Sequence, residues 1–218
     1  MTEDFWSPVR LSISVAAISL AIVFAAGILL ARVLALKKFK GKPLIETLLL
    51  LPLVLPPSVV GFLLIIVFGK QSFFGRAIEI FIGQPVIFTW LAAVIASSVV
   101  AFPLMYQSAK TGFETIEKEI EDASRVDGAS EVKVFLYIAL PLSAKALAAG
   151  AILSFARALG EFGATLMFAG NIPGKTQTIP TAIYFAIDSG NMELAWLWTA
   201  VMIGISFIML AAVNAFSK

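Results

Sequence analysis

Asp122-Ala123-Ser124-Arg125-Val126-Asp127-Gly128, separated by nine residues from Ile138-Ala139-Leu140-Pro141, is the stretch that decides how this chain folds. It is a charge-dense island in a sequence of 218 residues that is 60% hydrophobic and 14% charged, with a mean hydropathy of +0.96. A soluble globule of this size would need more polar surface. The chain therefore reads as an all-α polytopic membrane protein, and the island as a connection held outside the bilayer.

Working outward from the island, five apolar segments reach the roughly 20 residues a spanning helix needs. They run from about Pro8 to Leu36, Thr47 to Phe68, Val86 to Ala109, Leu142 to Phe168 and Leu194 to Phe216. Two shorter apolar stretches, Phe73 to Ile82 and Thr178 to Ile187, are expected to be interfacial or re-entrant. Glu3 and Asp4 precede a first apolar run longer than a signal-peptide core, so that segment is expected to remain as a span.

Charge sets the expected orientation. Lys37, Lys38, Lys40 and Lys42 lie in the first connection, and Lys110, Lys118, Arg125, Lys133 and Lys145 in or beside the third, whereas the opposite side holds Arg10, Lys70, Arg76 and Lys175. Basic residues are retained in the cytoplasm, which predicts an external N-terminus and a cytoplasmic C-terminus. Trp6, Trp90, Trp196 and Trp198 then fall at outer ends of spans, where an indole rests at headgroup level. The whole of 8–216 reads as one domain, with a cytoplasmic loop of about 110–141.

Within that loop, Gly112 to Glu131 has the composition of an exposed helix, with Ile116, Ile120 and Ala123 forming a narrow apolar stripe that must be buried against something. Gly128 suits a helix C-terminus or tight turn. Val132, Phe135 and Leu136 suggest a second amphipathic piece. Pro141 fits the first turn of the fourth span and should push Leu140 toward an extended conformation.

The spacing of this island resembles the "EAA" loop of ABC importer permeases: Ala123, Gly128, Ile138, Leu140 and Pro141 match, while Asp122 stands where the family has Glu. Three further blocks, Leu51 to Phe62, Ala156 to Thr165 and Gly170 to Pro180, are similar to molybdate or tungstate importer permeases. Sulfate and thiosulfate permeases share these blocks and form the alternative. The resemblance implies a type I ABC permease fold and alternating-access import. Asp122 to Gly128 (Asp122, Ala123, Ser124, Arg125, Val126, Asp127, Gly128), with Ile138, Leu140 and Pro141, would couple to an ATPase. It also implies a permease homodimer, two cytoplasmic ATPase subunits carrying ATP and Mg, and an external oxyanion-binding protein, with no cofactor on this chain.

Inside the spans, Pro52, Pro56 and Pro57 remove backbone donors, which is tolerated where neighbouring helices or a watery path re-satisfy the freed carbonyls. Either a packing kink or a broken helix lining the pathway would satisfy this. Arg157 and Glu161, spaced i, i+4, are costly charges in a span and are expected at a gate or subunit interface. Gly150, Gly160 and Gly163 on the same segment suit close helix packing.

Other functional classes fare worse. Cys and His are both absent, which removes thiolate nucleophiles, imidazole bases and Cys/His zinc sites, and no matched acid pair is present for an intramembrane enzyme. A secondary transporter, the remoter alternative, would place ionisable groups near the bilayer midplane. No nucleotide motif is present, so ATP chemistry belongs elsewhere. Basic residues interleaved with aromatics, as a nucleic-acid groove requires, are also lacking.

Overall fold

The computed structural model describes residues 2–37 and 39–216, with side chains for 5–37 and 39–211; Lys38, counted above in the first connection, lies outside them. Every regular element among the described residues is a helix, with no strand among them. Three helices are long and apolar enough to cross a bilayer unbroken: α1 (Thr2–Leu36), α5 (Trp90–Glu114) and α12 (Met192–Phe216). Between them lie α2 (Lys42–Val54), α3 (Pro57–Phe68), α4 (Phe73–Ile82), α6 (Lys118–Val126), α7 (Glu131–Val134), a π-helical turn (Phe135–Ala139), α8 (Leu140–Leu142), α9 (Ala144–Leu159), α10 (Gly163–Ala169) and α11 (Ile179–Asp188).

Two of the five expected spans are not single rods. Thr47 to Phe68 is α2 and α3, bent by 119° where Leu55 and Pro56 adopt extended ψ of 140° and 138°. Pro57 opens α3 because the first turn needs no N–H donor. Leu142 to Phe168 is likewise divided. The helical run starts at Glu131, bends by 73° at Ser143, and breaks again at Gly160–Phe162 before α10. The short stretches expected at Phe73 to Ile82 and Thr178 to Ile187 are α4 and α11.

At the centre, α5 carries the largest buried face, and much of it is small: Ala92, Ala93, Ala96, Ser97, Ala101, Ala109 and Gly112. Small side chains let backbones approach, and in lipid that approach, not apolar burial, is what drives association. A Cβ on Gly27 of α1 would lie 2.9 Å from Met105, and one on Gly150 of α9 would lie 2.6 Å from Ser108. Ser19 on α1 donates to the Val94 carbonyl (3.0 Å) and Ser154 on α9 to the Ala101 carbonyl (3.3 Å), binding both neighbours to α5.

Side-chain contacts sort the molecule into two ends. At one end Phe5 stacks on Trp198 at 6.1 Å, the Trp198 indole donates to the Phe5 carbonyl, and Ser12 accepts from Ile179 N–H (2.7 Å). The close of α1, the start of α2, the close of α5 and all of α6 meet at the other: Glu46 is 2.8 Å from Lys110 and Arg32 is 2.7 Å from Glu121.

Candidate functional site

The island at Asp122–Gly128 occupies the second half of α6 and its C-terminal turn. The exposed helix expected over Gly112–Glu131 is in fact two, because α5 continues to Glu114 and a turn at 115–117 redirects the chain. Helix α6 ends in a Schellman motif: Ala129 N–H reaches the Ser124 carbonyl and Gly128 N–H the Arg125 carbonyl, both at 3.0 Å. Closing it requires a left-handed residue, which is Gly128 at φ +88°.

Which way α6 faces is the informative point. Its single buried residue is an acid, Glu121, 7% exposed, while Ile120 and Val126 point outward and Val126 is 86% exposed; Ala123 is exposed with them. The apolar residues thus face away from the chain that carries them. Of the expected stripe, Ile116 packs into the core.

Glu121 is held by Arg32, 89 residues earlier on α1, in a two-pronged pair at 2.7 and 3.1 Å. Arg32 is itself 7% exposed, and its guanidinium lies 5.7 Å from the Phe113 ring centroid and 6.0 Å from that of Phe135, a setting that favours Arg over Lys. Arg125 extends the network to Glu131 (2.6 Å), Asp122 (2.6 Å) and Glu121 (3.0 Å). The Arg32 hydrogen bonds, with Arg125 in support, hold the Glu121 carboxyl below the usual carboxylate range against the opposing effect of burial; the bonds that Arg125 donates to the Glu131 carboxylate push the Arg125 guanidinium above its ordinary value. Asp122, by contrast, leaves 69% of its side chain exposed.

Downstream, Ile138 and Leu140 are half-buried and Pro141 is exposed. Leu140 is helical (φ −62°, ψ −49°), not extended as expected before a proline. The π-turn over Phe135–Ala139 accounts for this, since widening the helix accommodates the Pro141 ring without breaking the run.

The two membrane breaks converge. A Cβ on Gly163, the first residue of α10, would lie 2.8 Å from Pro57, the first of α3, and one on Gly61 would lie 2.6 Å from Met167 and 3.1 Å from Ala164. Two half-helices thus start side by side. Glu161 sits just before α10 with its side chain 1% exposed, accepting from Arg157 at 2.6 Å and from Ala164 N–H at 2.7 Å. That second bond fixes the start of α10. Pro52 lies within α2, on the other side of the break.

Arg32 and Glu121 were not singled out by sequence. The available signal was Arg32 itself, a fixed charge inside the apolar run Ile28–Leu36.

The family described as "Binding-protein-dependent transport system inner membrane component" matches residues 10–218. A protein of Bacillus subtilis (strain 168), provisionally named a molybdenum transport system permease protein, is 61% identical over 208 residues, covering 95% of this chain and 92% of its own length. The molybdenum transport system permease protein of Escherichia coli (strain K12) is 41% identical over 193 residues, covering 88% and 84%. Among solved structures, a bacterial alginate ABC transporter chain in complex with an alginate-bound periplasmic protein superposes with a TM-score of 0.77 at 18% identity, covering 99% of this chain and 79% of that one. This last likeness concerns the fold.

Proposed function

Because the chain belongs to the family of binding-protein-dependent transport system inner membrane components, a membrane permease family with ATP hydrolysis on separate subunits, we propose that it is the permease of an ATP-driven importer carrying molybdate or tungstate by alternating access. Residues 8–216 act as one permease domain. The substrate class follows the relatives' named cargo. In this reading two copies pair, two cytoplasmic ATPase subunits supply ATP and Mg chemistry, and an external binding protein delivers the oxyanion. The basic connections face the cytoplasm, leaving the N-terminus outside and the C-terminus inside.

The observation that carries the reading is the orientation of α6. A solvated helix would turn Ile120, Ala123 and Val126 inward, whereas this one buries Glu121 and presents the apolar residues, with Glu119 and Asp122 exposed as well. An outward apolar stripe on a polar helix outside the spans fits a groove on another subunit. Asp122 to Gly128 would form the docking turn. Ile138, Leu140 and Pro141 would carry its motion into α9. Pro52, Pro56, Pro57, Arg157 and Glu161, at or beside the two converging breaks, would border the path or its gate, where half-helices offer N–H groups to an anion without a buried cation.

Vesicles containing this chain, its ATPase and its binding protein test the proposal. Accumulation of molybdate or tungstate should require ATP and the binding protein, with sulfate a poor competitor. Uptake by the chain alone, driven by an ion gradient, would identify a secondary carrier instead.

A further inference from the structure

The Arg32–Glu121 pair joins two elements that the chain could have left independent. Helix α6 is connected to the bundle by short turns at 115–117 and 127–130 and buries no side chain except Glu121. Its firm attachments are therefore electrostatic: Arg32 of α1 from one side, and Arg125, which spans Glu121, Asp122 and Glu131, from within the loop. Since α1 packs along α5 and α9, whatever moves with Arg32 moves the centre of the bundle.

We propose that Arg32 is a positioning residue that clamps α6 to the end of α1, so that the two move as one body and displacement of α6 enters the bundle through α1 as well as through the chain running on into α9. The inference rests on the reading of α6 as the ATPase contact. Its chemistry is specific. A guanidinium fork meets both carboxylate oxygens at once and fixes orientation as well as distance, while the flanking Phe113 and Phe135 rings exclude water and hold the fork in plane. A lysine would reach one oxygen and leave α6 free to rotate about it.

The chain has no native cysteine, so nitroxide labels on Leu29→Cys and Lys118→Cys, both exposed positions and the second at the start of α6 away from the docking turn, report the α1–α6 separation in the assembled complex. The native pair should give one narrow distance that is unchanged by ATP. Arg32→Gln should broaden it and make it nucleotide-dependent, and should lower oxyanion imported per ATP hydrolysed by at least about fivefold, while the ATPase still co-purifies. Arg32→Lys, which keeps the charge and most of the aliphatic stem but not the planar fork, should fold and fall between. Glu121→Gln combined with Arg32→Gln should lose no more than Arg32→Gln alone. The clamp is refuted if the native distance itself shifts with ATP, if Arg32→Lys keeps both the narrow distance and the native import ratio, or if the two Gln losses simply add. Failure of the native chain to hold an ATPase would instead refute the proposed function, and the label distances in the isolated chain would still decide the clamp.

Discussion

Replacing Gly128 separates what the fold requires from what a partner requires. At φ +88° any L side chain is forced into a left-handed conformation, which costs about 1–2 kcal/mol. The structure adds that a Cβ here meets nothing within 4 Å, so the penalty is one of backbone alone and should be nearly the same for Gly128→Ala and Gly128→Trp. Both should weaken the α6 terminus about 5- to 30-fold in local equilibrium, visible as faster amide exchange at Ala129 and Gly128. Membrane insertion should be unaffected in either. Association with the ATPase should differ: Ala leaves the docking face almost unchanged, whereas Trp projects an indole into it. Co-purification titrated against ATPase concentration should therefore show a modest loss for Ala and near-complete loss for Trp. Equal affinities for the two variants would refute the placement of this turn at a subunit contact.

Other perturbations test other parts of the structure. Arg157→Met leaves the Glu161 carboxylate buried without its cation and should destabilise the detergent-solubilised chain by about 2–3 kcal/mol, below the 3–5 kcal/mol of a fully buried pair because Arg157 stays partly exposed; adding Glu161→Gln should recover much of that in thermal melts. Gly61→Ala should cost about 1–3 kcal/mol by over-packing α3 against α10, whereas Gly204→Ala, inside α12 with nothing within 4 Å, should not lower the melting temperature. Acid should loosen α6. The Glu121 value lies below its ordinary 4.5 in the folded chain, so its contribution is complete above that pH and is lost as pH falls through the folded value. Exchange at Lys118–Val126, corrected for intrinsic rate, should rise at acid pH and, in Glu121→Gln, should be high already at neutral pH.

Much of this architecture is written in local chemistry. The five apolar segments are legible because bilayer thickness fixes their length, and a disturbance at Pro56–Pro57 because a doubled proline withdraws consecutive donors, while the choice of a full break over a packing kink comes from the 119° bend. Gly128 announces its turn because few residues accept its backbone angle. The division of the fourth segment is harder to read: Gly160 and Gly163 serve close packing as readily as a break, and the arrival of Pro57 against Gly163 is what shows the two half-helices starting together. At the loop, the acid drawn inward is Glu121 and not its neighbour Asp122. Helical periodicity places them one position apart, about 100° around the axis, and the choice between them is made by Arg32, which lies 89 residues away. Such a partnership belongs to the tertiary fold and leaves no periodic trace.

Cross-linking from α6 tests most directly what the chain does. With no native cysteine to compete, single cysteines at Ile120 or Val126, on the outward face of α6, and at Tyr184 of α11, exposed at the opposite end, can be treated with a short bifunctional reagent in membranes containing the whole importer. Capture of the ATPase subunit from Ile120 and Val126, in amounts that change with ATP, and none from Tyr184, is the expected result. Capture from Tyr184 in place of the α6 positions, or no ATPase adduct from either face in complexes that import, would contradict the assignment of α6 as the surface through which ATP hydrolysis drives transport.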